Sequence, residues 1–151
     1  MNGTPQVTLH ELLLVDDSFP DVILMEEAFG ATVRQLRLSR VEDGVEALAF
    51  LRREAPYTDA PRPKLVLLDL NMPRMNGFEV LIQIKADPVL RLLPVLVLST
   101  SREERDIQQA YALGANAFLT KPRDLSGVME LVQVIEQFWL VKAQLPGGAN
   151  T

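Results

Sequence analysis

The amino-acid sequence predicts an α/β protein: a doubly wound, five-stranded parallel sheet with helices on both faces. Short apolar runs recur along the chain, most of them without polar alternation, which is the pattern of strands buried on both faces of a parallel sheet. Stretches of helical periodicity separate these runs, and such strand–helix alternation builds a parallel sheet covered on both sides. Four of the runs also end abruptly in polar residues, at Asp16-Asp17, Asp69, Ser99 and Lys121.

The first strand is Leu12-Leu13-Leu14-Val15, closed by Asp16 and Asp17. Ser18 then suits an N-cap and Pro20 a first helical turn. Val22, Ile23, Leu24, Met25 and Phe29 carry this helix to Gly30, read as its C-terminal stop. Residues 34–41 alternate through Leu36, Leu38 and Val41 and predict a second, more exposed strand. Gly44 opens a helix through Ala47, Leu48, Phe50 and Leu51. Residues 55–63 hold three prolines, which fix φ and remove donors, so this segment is a loop, and a longer one than such a connection needs. Leu65-Val66-Leu67-Leu68 is the third strand, closed by Asp69. After a loop over 71–77, Phe78 begins a helix that stops near Pro88. Val95-Leu96-Val97-Leu98 is the fourth strand, closed by Ser99. Ser101 with Glu104 spells a capping box for a helix ending at Leu113-Gly114. Ala117-Phe118-Leu119-Thr120 is a short fifth strand, closed by Lys121-Pro122, and a last helix covers 124–142.

Composition bounds what such a protein does. At 151 residues the chain suits one domain, with the folded unit over 9–143 and tails at 1–8 and 144–151, the latter disordered from Pro146-Gly147-Gly148. No apolar run approaches the roughly 18 residues of a membrane span, and residues 1–8 lack the basic start and apolar stretch of a signal peptide. Cysteine is absent, which excludes disulfides and thiolate metal sites and is compatible with a reducing cytoplasm. Fifteen basic against twenty acidic residues give a net charge of -5. No broad cationic surface is present to attract nucleic acid.

Ligands of open α/β sheets bind outside the carboxyl ends of the strands, so the fold gathers Asp16, Asp17, Asp69, Ser99 and Lys121 on one rim. Taken singly, an aspartate after a strand is commonly a helix N-cap. Capping explains neither the pair Asp16-Asp17 nor a lysine after the fifth strand. Carboxylates brought together raise one another's pKa unless a cation neutralises them. All-oxygen ligands without His or Cys favour a hard ion, Mg²⁺ or Mn²⁺. Lysine and a hydroxyl on the same rim suit phosphate oxygens, and an aspartate can form an acyl phosphate. The set therefore points to magnesium-dependent phosphoryl transfer onto a carboxylate.

Asp16-Asp17, the run Asp69-x-Asn71-Met72-Pro73-x-Met75-Asn76-Gly77, Ser99 five residues after Pro94, and Phe118-x-x-Lys121-Pro122 together resemble the response regulator receiver family, over about 12–140. The resemblance implies the flavodoxin-like receiver fold and a signalling role rather than an enzyme acting on a substrate. It implies Asp69 as the residue phosphorylated by a histidine kinase. Asp17 and Asp69 are implied as direct Mg²⁺ ligands, Asn71 as a ligand through its backbone carbonyl, and Asp16 as holder of a metal-bound water. Ser99 matches the hydroxyl that moves to bond the phosphoryl group, Lys121 the lysine that pairs with it, and Phe118 the aromatic that swings inward on activation. For Phe118, plain core packing is an equal reading. Asn76 departs from the aspartate more usual before Gly77, and phenylalanine from the tyrosine or histidine of other switch aromatics.

The Pro-rich loop at 55–63 and the ending Ile135-Glu136-x-Phe138-Trp139-Leu140, followed by Leu145-Pro146, resemble the small stand-alone receivers paired with bacterial and cyanobacterial phytochromes. That implies a phytochrome-type histidine kinase as partner and a homodimer; with no output domain in the sequence, the expected downstream target is another protein. Along the last helix, Leu125, Val128, Val132, Ile135 and Trp139 form a core stripe, and Leu131, Val134, Phe138 and Val141 a second one. The second stripe is either a wide buried face or an exposed interaction patch; the resemblance favours a dimer contact. The rival readings are a haloacid dehalogenase-type phosphatase with an aspartate nucleophile, a phosphate relay or sink, and a degenerate scaffold. The phosphatase class carries a second aspartate where Asn71 stands, and the complete site argues against a degenerate one.

Overall fold

A computed structural model describes residues 9–146. The predicted tail at 1–8 and the part of the other tail from Gly147 onward lie outside the described residues. Strands β1 (His10–Val15), β2 (Leu36–Val41), β3 (Leu65–Asp69), β4 (Val95–Ser99) and β5 (Ala117–Thr120) alternate with helices α1 (Phe19–Thr32), α2 (Gly44–Arg52), α3 (Gly77–Ala86), α4 (Glu104–Ala112) and α5 (Leu125–Val134). All strand pairings are parallel, in the order β2-β1-β3-β4-β5. The strand carboxyl ends therefore share one rim, as expected.

Side chains alternate across a strand, so each apolar run feeds two cores. Leu13, Val15, Val66, Leu68, Val95 and Val97 pack against α2, α3 and Ala110 of α4. Leu12, Leu14, Leu65, Leu67, Leu96 and Leu98 pack against Val22, Met25 and Phe29 of α1 and Val128 and Val132 of α5. The central strands β3 and β4 are buried along their whole length, which is why their sequences carry no polar alternation. Edge strand β2 is only partly covered, matching its alternating sequence.

Several boundaries differ from the sequence-based expectations. Helix α1 passes Gly30 and ends at Thr32, because Gly30 sits on the exposed side with open space around it and nothing there breaks the backbone ladder. The capping box predicted at Ser101 and Glu104 is absent: α4 has Glu103 at its N-cap with no side-chain cap bond. The Ser101 hydroxyl instead donates to Asp106 Oδ2 at 2.6 Å and accepts from the Glu103 N–H at 3.2 Å. The capping box stands at α3, where Asn76 accepts from the Glu79 N–H and Glu79 from the Asn76 N–H, each at 3.0 Å.

The last helix differs most. Helix α5 gives way at Ile135 to a π-helical segment, Ile135–Lys142, closed by an Ala143 N–H to Phe138 carbonyl bond of 2.7 Å. Bonding of i to i+5 widens each turn, so an α-helical stripe cannot run straight through it. Val128, Val132 and Ile135 are buried as expected, while Leu125, placed in the core stripe, is exposed. Leu131, assigned to the second stripe, is a correction as well: it turns into the α1–α5 seam beside Leu24 and Met25 and packs on that core. Val134, Phe138 and Val141 do stay exposed, at 60%, 54% and 54%. Pro146, the predicted start of disorder, lines a cavity together with Leu51, Pro63 and Leu93.

Candidate functional site

Strand ends bring the predicted rim residues together. Asp69 is the last residue of β3 and is almost fully buried; Asp16 follows β1 and is buried, and Asp17 beside it is exposed. One carboxylate oxygen from each of Asp16, Asp17 and Asp69 lies within 4.8 Å of the others. That is close enough for a single hard cation to touch or bridge all three, so the donor set fits Mg²⁺ or Mn²⁺.

Asp16 has both oxygens engaged. Its Oδ1 accepts from the Ser18 N–H at 2.9 Å and its Oδ2 lies 2.9 Å from Lys121 Nζ. Asp17 makes no such bonds among the described residues, so its oxygens are available to a cation. Lys121 reaches the rim from the loop after β5, where its own N–H bonds the Ser99 carbonyl at 2.9 Å. Its ammonium lies 2.8 Å from Asp21 Oδ2 and 3.4 Å from Asp69 Oδ1. Burial disfavours this ammonium, but hydrogen bonds to Asp21 and Asp16 outweigh burial and hold its pKa above the ordinary lysine value.

Asp69 is pushed the other way. Burial raises its carboxyl to about 6; Lys121 opposes the rise and the Asp16 and Asp17 charges add to it. The backbone around it is tight. A Cβ on Gly77 would stand 2.4 Å from the Asp69 carbonyl oxygen and 2.8 Å from Leu70 Cα, so only glycine lets the β3–α3 loop fold back this closely. The Gly77 N–H closes the loop on the Leu70 carbonyl at 2.9 Å. Within it, Asn71 is exposed two residues beyond Asp69.

Ser99 ends β4 fully buried, its hydroxyl accepting from the Ser101 N–H at 3.1 Å. Phe118 is half-buried against the α2–α4 core, and its N–H donates to the Tyr111 hydroxyl of α4 at 3.2 Å. The Phe118 side chain is packed, and the Tyr111 bond holds only its backbone.

Two features escaped the sequence reading. Asp21, in the first turn of α1, looks like any acidic residue favoured by a helix N-terminus, and nothing local marks it as a partner of Lys121, which lies 100 residues away. Arg74 takes a left-handed φ of 65° and bonds Asp43 Oδ2 through Nη2 at 2.8 Å and Nε at 2.9 Å. Asp43 also caps α2 by accepting from the Glu46 N–H at 2.9 Å. Burial alone would raise the Asp43 carboxyl, but these donors prevail and hold it low. The pair ties the loop after Asp69 to the start of α2.

Known proteins agree with this geometry. The sequence pattern of the response regulator receiver domain matches residues 12–133. The chain is 44% identical over 135 residues to the response regulator Rcp1 of Synechocystis, covering 89% of this chain and 92% of Rcp1. The crystal structure of the phosphorylated cyanobacterial phytochrome response regulator RcpA superposes with a TM-score of 0.88 at 44% identity, covering 93% of this chain and 100% of RcpA. The Mn²⁺-bound form of Rcp1 gives a TM-score of 0.84 at 43% identity, covering 91% and 99% of the two chains.

Proposed function

This chain belongs to the response regulator receiver family, and from that premise we propose that Asp69 takes a phosphoryl group from the phosphohistidine of a phytochrome-type histidine kinase. The observation that carries the proposal is the buried Asp69 carboxylate, clustered with Asp16, Asp17 and the Lys121 ammonium. The similarity to Rcp1 and to RcpA supports the kinase class. The family match also favours a receiver over a haloacid dehalogenase-type phosphatase, whose second aspartate is replaced here by Asn71.

In the transfer, an ionised Asp69 oxygen bonds to phosphorus as the bond from phosphorus to the imidazole nitrogen breaks. The electron pair of that bond stays on the imidazole. Lys121 pairs with a phosphoryl oxygen, and Ser99 does so once its hydroxyl leaves the Ser101 N–H. Water later attacks phosphorus, Asp69 departs as carboxylate, and inorganic phosphate is released. Asp17, Asp69 and the Asn71 carbonyl would hold Mg²⁺ or Mn²⁺ directly, with Asp16 acting through a water. When bound, the ion neutralises the rim carboxylates and draws phosphoryl oxygens. The Mn²⁺-bound form of Rcp1 supports an ion of this class.

The signal then passes by conformational change through Ser99 and Phe118 to a partner protein, without a substrate of the chain's own. We place the receiver unit at 9–143, assign it to the cytoplasm with its kinase, and take it as a homodimer through the exposed face of the last helix. No helix among the described residues is long and apolar enough to cross a membrane.

Acetyl phosphate with millimolar Mg²⁺ should label wild-type protein at Asp69, as located by mass spectrometry. Asp69→Asn and excess chelator should each abolish the label. A stable phosphoryl group found at another residue overturns the assignment.

A further inference from the structure

We propose that Asp21 is a positioning residue that holds the Lys121 ammonium back from unphosphorylated Asp69, and so restrains loading of the phosphoryl group. The inference rests on Asp69 being the phosphoacceptor and adds a control on how readily it is loaded.

An ammonium has three N–H donors, and Lys121 meets three carboxylates: Asp21 at 2.8 Å, Asp16 at 2.9 Å and Asp69 at 3.4 Å. The first two distances are those of charge-assisted bonds, and the third is at the limit of one. The lysine therefore leans away from the residue it must serve. Of its two firm partners, Asp16 is fixed: it is 1% exposed, and its second oxygen accepts from the Ser18 N–H. Asp21 is not. Its side chain is 35% exposed, so water can replace the lysine at its carboxylate without leaving a buried charge unpaired. A helix turn on α1 thus offers Lys121 a second position that is easy to leave.

A phosphoryl group on Asp69 puts a dianion next to the ammonium and outcompetes a screened carboxylate. The pair with Asp21 stabilises the unphosphorylated form and not the phosphorylated one. Removing the Asp21 charge should raise the loading rate and the steady-state loaded fraction. A pair with one solvent-screened partner sets the size of the effect at roughly two- to fivefold.

The experiment uses acetyl phosphate in saturating Mg²⁺, which leaves kinase docking out of the comparison. Asp21→Asn keeps the shape and loses the charge, and should load Asp69 about two- to fivefold faster than wild type. Asp21→Glu should restore the wild-type rate. The advantage should shrink as salt is raised, since the lost pair is partly solvent-exposed. In a Lys121→Ala background the Asp21→Asn change should have no effect, because its action runs through the lysine. Ser18 caps α1 through the Asp21 backbone N–H, so the helix start is retained, and circular dichroism checks that each variant is folded. Unchanged or slower loading in folded Asp21→Asn, beside normal loading of wild type, overturns this inference alone. An equal gain in the Lys121→Ala background overturns it too. A wild type that never loads Asp69 overturns the phosphoacceptor reading, and this inference with it.

Discussion

Asp69 is an ionisable group placed where ionisation is costly, and that cost has a sign that stability can read. Its carboxyl rises from the ordinary 3.8 to about 6, first through burial and then through its acidic neighbours, against the pull of Lys121. A raised folded-state pKa means the native protein binds the proton more tightly than the unfolded chain does. The resulting stability is full below the unfolded value and is lost as pH climbs through the window from 3.8 to about 6. Metal-free protein near neutral pH therefore carries a penalty of about 3 kcal/mol from this carboxylate. Asp69→Asn should remove it: in excess chelator at about pH 8 the variant should resist urea better than wild type, and the gain should shrink at about pH 5 and below. Saturating Mg²⁺ should stabilise wild type and not the variant. A variant less stable than wild type at about pH 8 without metal would mean that Lys121 outweighs burial, contrary to this reading. At this scale the site was largely legible, because strand-end position is enough to gather Asp16, Asp17, Asp69, Ser99 and Lys121. Asp21 and the Arg74–Asp43 tie were not, because each is a long-range pairing of surface-type residues whose local sequence looks ordinary.

Among the elements, strands were easier to read than helix ends. A strand buried on both faces must be apolar throughout, so β3 and β4 announced themselves, and their final polar residues marked the rim. Helix starts depend on a competition among nearby hydroxyls, amides and carboxylates. At α4, Ser101 finds Asp106 at 2.6 Å, and the helix begins too late for Glu104 to reach back. At α3 the same motif is written with Asn76 and Glu79, and there both bonds form. This cap lies one residue before Gly77, so it also anchors the loop that wraps the Asp69 carbonyl. Asn76→Ala should cost about 1 kcal/mol in urea unfolding and Asn76→Gly only a few tenths, since water reaches the freed N–H groups more easily past glycine. Equal losses from the two changes, or none, would mean that the box contributes no stability to α3. The π-helical stretch after Val134 was invisible to periodicity because both stripes were drawn at α-helical spacing.

For the whole molecule, the open question is what meets the exposed face of the last helix. Val134, Phe138 and Val141 stand more than half exposed, with Glu130, Gln133 and Gln137 beside Val134 and Phe138. An apolar centre with a polar rim is the anatomy of an interface. Phe138 packs edge-on against Trp139, ring centroids 5.1 Å apart, and is still more than half exposed. If two copies meet here, Val134→Glu combined with Phe138→Lys places charges in the contact and should give a folded monomer. The core stripe of Val128, Val132 and Ile135 is untouched by these changes, and the rim at the strand ends is built from other elements. Loading of Asp69 by acetyl phosphate should therefore persist in the double variant. Sedimentation across micromolar concentrations, with and without phosphoryl donor, separates the outcomes. A dimeric wild type beside a monomeric, loadable variant supports the contact. Wild type monomeric under both conditions defeats it and leaves the face for the kinase or another protein. A double variant that is still dimeric moves the contact elsewhere, with the α4 and β5 surface around Tyr111 as the next place to substitute.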